Sequence, residues 1–385
     1  MHLLRGIHLG YCTNIHRGET WAETWDGLRC HTLRVRDRVA GGRPYGIGLR
    51  LSAAAALELS APDRLREFRE WLDRERCYVF TINGFPYGRF HGTRVKEQVY
   101  VPDWTSPERL DYTRRLIDLL AELAPAGGEG SLSTVPCSFK EFIRTPDQER
   151  AMRRHLWECV EHLETKSLES GRDLHVGLEP EPLCYLETTQ EAVEFLERMA
   201  ADRPGDERLW RRLGVNYDAC HLAIQYEEPE ASLKRIETSG IRLSKVHFSA
   251  ALRANPSPAN RLALAPFVEG VYFHQVVAKL AGGGLRRYRD LDEALAVHHP
   301  DETEWRIHFH IPLHARPAQG FASTSDHLLG VMDYLGRSPE RCRHVEMETY
   351  TWEVLPESMK NRDVVDQLCA EYDWTLSHLR ERGLA

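Results

Sequence analysis

His175-Val176-Gly177-Leu178-Glu179-Pro180-Glu181-Pro182 is the stretch on which the reading of this chain turns. A short apolar run ends directly in two carboxylates, the pattern of a strand leaving a buried sheet. Alternation along a strand puts Glu179 and Glu181 on one face. A single pair of this kind is ordinarily a solvated loop, so its meaning depends on how the other strands end. They end similarly: Val215-Asn216-Tyr217-Asp218-Ala219-Cys220-His221, Val246-His247-Phe248-Ser249 and Val345-Glu346-Met347-Glu348-Thr349-Tyr350 each carry an apolar run into acidic or imidazole groups.

Working outward, short apolar runs alternate with stretches of helical period along the whole chain, as repeated βα units and a parallel sheet require. Candidate strands fall at Ile7–Asn14, Tyr45–Ser52, Cys77–Phe85, Gly130–Pro136, His175–Pro182, Leu213–His221, Leu243–Ala250 and His344–Trp352. Eight such strands close a barrel, so the expected fold is an α/β chain in the form of a (β/α)8 TIM barrel. Helix signals separate them. Thr105-Ser106-Pro107 precedes Leu110, Leu116, Ile117, Leu120 and Leu123, and Thr145-Pro146 precedes Met152, Leu156, Val160 and Leu163, with Gly171 as the stop. Thr188 and Glu191 have capping-box spacing, and the final helix runs through Val365, Leu368, Tyr372, Leu376 and Leu379. About ninety residues separate strands seven and eight, far beyond a normal βα unit. The interval 254–343 is therefore expected to hold an insertion over the barrel mouth: a hairpin, Val271–Ala278 and Leu285–Leu291 around Gly282-Gly283-Gly284, and an extended piece, Trp305–Leu313.

The 385 residues are expected to form one domain, since barrels of this length are common. The formal net charge of −8 disfavours nucleic acid as a partner. Nine cysteines without a C-x-x-C pair argue against a complete disulfide framework and for a reducing cytoplasm. The N-terminus lacks a signal-peptide pattern and no eighteen-residue apolar run occurs, so neither secretion nor membrane insertion is expected. Oligomeric state is left open.

A barrel gathers the C-terminal ends of its strands around one axis, so Glu179, Asp218, His247 and Glu348 are expected to converge as metal ligands. Three carboxylates and one imidazole form a hard-to-borderline site, suited first to Mn2+ or Mg2+ and also to Zn2+, Fe2+ or Co2+. Taken singly, each has a plain structural explanation: a capping Asp, a satisfied core His, an exposed Glu. Two registers stay open, because Glu181 shares a face with Glu179, and Glu346 with Glu348. Asn83 and His91, with Asn14, His16 and Lys96, follow the first and third strands and are candidates for substrate contact or for structural hydrogen bonds. Phe85 and Trp104 are candidate pocket walls. His308 and His310, with His314 beyond, could add substrate contacts, bind a second metal, or simply pack over the mouth.

These motifs carry a family resemblance. The L-E-P-E-P around Glu179 resembles the glutamate motif of xylose isomerases and, more loosely, the strand-end glutamates of endonuclease IV and ketose epimerases. Asp218 and His221 resemble the D-x-x-H of that superfamily, and Met347-Glu348 its last-strand glutamate. Gly10-Tyr11-Cys12-Thr13-Asn14-Ile15-His16, Thr81-Ile82-Asn83-Gly84-Phe85-Pro86-Tyr87, Val99-Tyr100-Val101-Pro102-Asp103-Trp104, His274-Gln275-Val276-Val277 and Met347-Glu348-Thr349-Tyr350-Thr351-Trp352 look like the EboE family of metabolite traffic proteins, from end to end. The resemblance implies a xylose isomerase-like barrel in an Ebo-type biosynthesis or traffic pathway. It further implies that Glu179 and Glu348 contact the metal and act as base and acid, while His221, and Arg253 just after the seventh strand, bind substrate oxygens. Glu181 stands where xylose isomerases carry lysine, which sets this chain apart from their hydride shift and leaves Glu181 as a substrate contact.

The expected function is thus a divalent-metal-dependent isomerase or epimerase of a sugar, sugar phosphate or cyclitol ketone, acting through an enediolate. One alternative is a non-catalytic protein that binds and hands over such a metabolite. An endonuclease IV-like hydrolase is a weaker alternative, since that class needs a three-metal cluster and a basic face.

Overall fold

The computed structural model describes residues 1–89, 91–92, 94–317, 320–351 and 363–385. Eight parallel strands alternate with helices: β1 (His8–Tyr11), β2 (Tyr45–Arg50), β3 (Cys77–Asn83), β4 (Glu129–Thr134), β5 (Asp173–Leu178), β6 (Leu213–Asp218), β7 (Arg242–Phe248) and β8 (His344–Met347). Their order is β1-β8-β7-β6-β5-β4-β3-β2. A parallel bridge between Cys12 and Gly48 brings the two ends of the sheet together and nearly closes it. The fold is therefore a (β/α)8 barrel with its strand C-termini at one mouth.

Each strand is shorter than its apolar run suggests, because the last residues of each run turn out of the ladder to build the mouth. Asn14 lies in a 3-10 turn, Thr13–Ile15, and Asp218 ends β6 as the N-cap of the helix Ala219–Ile224. Trp352, the expected end of the last strand, lies outside the described residues. The ring helices start where their capping residues dictate. Ser106 caps Pro107–Leu123, capping boxes at Thr145 and Thr188 open Pro146–Ser170 and Thr189–Asp202, and Gly171 ends the former in the left-handed region that favours glycine. Leu116, Leu120, Leu156, Val160, Leu163, Phe195 and Leu196 are wholly buried between these helices and the strands.

Between β7 and β8 a second sheet of five antiparallel strands forms, in the order Leu285–Tyr288, Val276–Leu280, Glu302–Ile307, Leu252–Ala254, Phe321–Ser323. The hairpin pairs around the glycine turn, while Leu291 begins a short helix, Leu291–Ala296. The extended piece differs from its expected form: the strand stops at Ile307. Hydrogen bonds from Phe309 N–H to the Ile307 carbonyl and from Ile311 N–H to the Phe309 carbonyl then fold the chain into two tight turns. The inserted sheet ends at Ser323, and Ser325–Arg337 follows as a helix in the βα rhythm of the barrel. No helix among the described residues is long and apolar enough to cross a membrane.

Candidate metal centre at the barrel mouth

The D-x-x-H spacing has a local cause. Asp218, as N-cap, accepts the backbone N–H of His221 on Oδ1 (2.9 Å), with Ser249 Oγ donating to the same oxygen (2.7 Å). That leaves Asp218 Oδ2 facing the barrel axis. Register places Asp218 opposite His247, and His247 opposite Glu346, so β6, β7 and β8 deliver these groups side by side. The structure brings Glu179, Asp218, His247 and Glu348 together, with one ligand atom from each within 4.8 Å of all the others. His247 Nδ1 is the hub, 2.9 Å from Glu348 Oε2, 3.1 Å from Glu179 Oε1 and 3.4 Å from Asp218 Oδ2.

The other imidazole nitrogen fixes this geometry. His247 Nε2 donates to Glu346 Oε2 (3.2 Å), which also receives Lys245 Nζ at 2.6 Å. Lys245 and Glu346 are both fully buried. A carboxylate on the far nitrogen sets the ring's orientation and leaves Nδ1 toward the three carboxylates, the arrangement typical of histidines that ligate metals. A Cβ at Gly48 would overlap the Glu346 carboxylate, so glycine there makes room for it. Glu348 is positioned separately: Asn14 and Asn83 side-chain amides donate to its Oε1 at 2.7 and 3.2 Å.

The donor set fits a divalent cation. Glu179 Oε2 and Asp218 Oδ2 are buried and accept no hydrogen bond among the described residues, although a buried carboxylate needs compensation. Burial pushes the Glu348 carboxyl up, helped by Glu179 and Asp218 and opposed by His247. Burial alone would raise Glu179, but His247 and His221 together pull it below its ordinary value. Glu346 is held down to about 2, burial being overcome by Lys245 and His247. Two neighbouring glutamates with oppositely displaced acidities are suited to different proton-transfer roles.

Beyond the quartet lies a narrow pocket with polar groups on one side and Phe85, Tyr100, Tyr272, Phe273 and Tyr350 as aromatic walls. Asn83, Glu179, Glu181, His221, His308 and Glu348 all reach it. Glu181 is buried and accepts the Tyr100 hydroxyl (2.9 Å). Burial raises its carboxyl to about 8, opposed by His221. His91 acts from behind the pocket: Nε2 donates to the Asn14 carbonyl (2.6 Å) and Nδ1 meets the Tyr272 hydroxyl (2.8 Å), bracing the loop that carries Asn14 to Glu348. Arg253 is placed elsewhere. It sits in the inserted strand Leu252–Ala254, its guanidinium paired with Asp326 at 2.9 Å, away from the pocket lining. Trp104 is core, and Lys96 reaches the lining with its ammonium paired to Asp290.

Strand periodicity marks Asn14 only as one of several polar candidates and does not single out Lys245. A lysine inside the apolar run Leu243-Ser244-Lys245-Val246-His247, two residues before a candidate ligand, was the available signal. At the opposite end of the barrel, Glu129, His175 and His344 also gather: Arg242 and His175 both hydrogen-bond Glu129 Oε1, Ser244 holds His175 and Ser131 meets His344 Nδ1, while His344 Nε2 is buried with no hydrogen-bond partner among the described residues.

The (β/α)8 architecture is similar to that of solved xylose isomerase-like TIM barrels. A xylose isomerase-like TIM barrel protein from Mycobacterium smegmatis, solved in complex with magnesium, is 14% identical, with 98% of this chain and 97% of that chain covered and a TM-score of 0.54. An L-ribulose 3-epimerase is 12% identical, with 98% and 95% covered and a TM-score of 0.51. A D-tagatose 3-epimerase-like protein is 12% identical, with 98% and 99% covered and a TM-score of 0.50. At these identities the likeness is one of fold. No family model matches the chain, and no curated protein sequence matches it.

Proposed function

We propose that this protein is a divalent-metal-dependent isomerase or epimerase of a small polyhydroxylated carbonyl compound. One observation carries the reading: Glu179 and Glu348 face each other across His247 Nδ1 at the edge of a partly aromatic pocket, with Asp218 completing a four-ligand set. Glu179, Asp218, His247 and Glu348 would hold the cation, which when bound would supply electrostatic stabilisation of negative charge on the substrate oxygens. Mn2+ or Mg2+ suits the three carboxylates best.

The chain's own groups provide the proton transfers. Glu348, raised in pKa and steadied by Asn14 and Asn83, is the base that takes the proton from the carbon beside the carbonyl, or the acid that returns one. Glu179, held ionised, takes the complementary role from the other side. Return of a proton to the opposite face of the same carbon inverts it; return to the neighbouring carbon moves the carbonyl. Glu181, largely protonated at neutral pH, can donate a hydrogen bond to a substrate oxygen, with His221 and Asn83 beside it. The epimerase folds among similar structures support a sugar or cyclitol as substrate, and the segments resembling EboE proteins support an Ebo-type pathway.

The test is solvent-deuterium exchange. Metal-loaded protein given candidate ketoses, aldoses and cyclitol ketones in D2O should wash label into the carbon next to the carbonyl, and Glu348→Gln should stop this while the fold persists. A tightly bound ligand that never exchanges would mark a binding and handover protein instead. Retained exchange in Glu348→Gln removes that residue from proton transfer.

A further inference from the structure

The foot of the barrel, at the far end from the mouth, gathers three side chains that the proposed chemistry does not use. Glu129 is the first residue of β4, His175 stands on β5, and His344 is the first residue of β8. One potential ligand atom from each lies within 4.8 Å of the others. Both imidazoles are fully buried, while Glu129 is partly exposed. In the strand order β4 and β8 stand four places apart, on opposite walls of an eight-stranded barrel, so these groups meet across its interior.

Hydrogen bonding settles which atom His344 offers. Ser131 Oγ donates its proton to Thr81 Oγ1 (2.8 Å), so it accepts from His344 Nδ1 (2.8 Å). Burial holds the His344 imidazole well below its ordinary pKa against the pull of Glu129, so the ring is neutral and Nε2 carries a bare lone pair. That atom is buried with no hydrogen-bond partner among the described residues, a costly condition for a polar group. Beside it stand a second imidazole and an ionised carboxylate. Burial would raise Glu129, but His175, His344 and Arg242 hold it well below the carboxylate range.

The neighbours leave room for an ion. His175 Nε2 donates to Glu129 Oε1 (2.8 Å), and its Nδ1 contacts the Ser244 hydroxyl. A hydroxyl donates or accepts equally well, so the ring proton can sit on Nδ1 and free Nε2 to ligate. Each ring then keeps a hydrogen-bonded partner on its far nitrogen, as oriented metal-bound histidines do. Arg242 shares Glu129 Oε1 (2.8 Å) but is anchored separately by Asp173 (2.6 Å) and the Arg211 carbonyl (2.9 Å), so Glu129 can adjust without releasing it. Ligand atoms of a tetrahedral ion, about 2.0–2.1 Å from it, stand about 3.3 Å apart, and the partly exposed Glu129 is the member with room to close the set. An open depression lined by Glu129, Asp173, Arg242 and Cys342 gives an ion its way in.

We infer that Glu129, His175 and His344 bind a zinc-class ion, Zn2+, Co2+ or Fe2+, at the foot of the barrel, with a fourth position open to water. The ion ties β4 and β5 to β8 across the interior. Its role is structural, because it binds the folded chain and not the unfolded one. Nothing in this depends on the centre at the mouth.

Untagged full-length protein is stripped of metal, loaded with Zn2+ and freed of unbound ion by gel filtration, and its zinc content and melting temperature are measured. The parent is Asp218→Asn, which weakens the mouth site and keeps an N-cap for the helix after β6; wild type takes its place if that variant does not fold. The parent should hold zinc and melt a few degrees higher with it than without. Adding Glu129→Gln, which keeps an acceptor for His175, or His344→Asn, which keeps a donor for Ser131, should remove one ion and abolish that rise. Circular dichroism establishes which variants are folded, and the two substitutions sit on different strands so that either serves alone. The inference falls if a folded variant keeps the zinc content and the rise of its parent, or if the parent takes up no zinc. Mn2+ binding by the same foot variants in the wild-type background reports separately on the mouth.

Discussion

Replacing Lys245 by methionine removes the cation from a pair with no access to water. Lys245 Nζ and Glu346 Oε2 are 2.6 Å apart and both side chains are fully buried. At an effective dielectric of about 20, charges at that distance attract by roughly 6 kcal/mol. Desolvation costs several kcal/mol per ion, so the pair as a whole contributes little net stability. Breaking it is different, because Glu346 would remain charged and buried with His247 Nε2–H as its remaining partner among those described here. Lys245→Met should therefore lower the unfolding free energy of the metal-free protein by on the order of 3–5 kcal/mol. Lys245→Met/Glu346→Gln, which removes both charges and keeps an acceptor for His247, should recover most of that loss. Chemical denaturation of the wild type and both variants provides the comparison. A Lys245→Met cost under about 1 kcal/mol, or a double variant no better than the single one, would refute the picture of an obligatory buried pair behind His247.

Glu346→Gln alone should weaken metal binding about 10- to 100-fold, the usual effect of losing an outer-shell carboxylate on a ligating histidine, and calorimetric Mn2+ titration reads it directly. Asn14→Ala deletes a 2.7 Å hydrogen bond to Glu348 and should cost about 10- to 100-fold in turnover, corresponding to about 1.5–3 kcal/mol for a bond to a charged group; unchanged turnover would detach Asn14 from the site. Glu371 is fully buried, and burial raises its carboxyl to about 7 despite hydrogen bonds from Leu313 N–H and Thr349. Since the folded protein then holds a proton that the unfolded chain releases near pH 4.5, Glu371 adds stability at low pH that is lost as pH rises to about 7. Glu371→Gln should flatten that dependence by on the order of 3 kcal/mol, and denaturation midpoints across this range measure it. Gly48→Ala should destabilise by about 1–3 kcal/mol through overlap with the Glu346 carboxylate, as overpacked cores do; a neutral effect would mean that carboxylate is free to move.

The fold was legible because βα alternation is a property of the whole chain, and the quartet because a barrel forces strand ends together whatever their sequence separation. Asp218 and His221 could be read from spacing, as an N-cap residue and the residue three beyond it must point the same way. The choice between Glu346 and Glu348 could not, because both share a face; in the structure Glu346 meets Lys245 and Glu348 continues past the end of β8 to the mouth. Glu179 and Glu181 separate similarly, the first into the quartet and the second against Tyr100. Arg253 looked like a mouth residue because it follows His247 closely, yet the chain enters an antiparallel sheet there and delivers the side chain to Asp326. The convergence of His308 and His310 on His221 depends on two tight turns after Ile307, which residue periodicity does not encode.

Diffraction at the manganese absorption edge from crystals grown with Mn2+ puts the central claim to its most direct trial. A strong anomalous peak should stand in contact with Glu179, Asp218, His247 Nδ1 and Glu348 together. Density at that position without anomalous signal, or a peak that touches fewer than three of those side chains, contradicts the account.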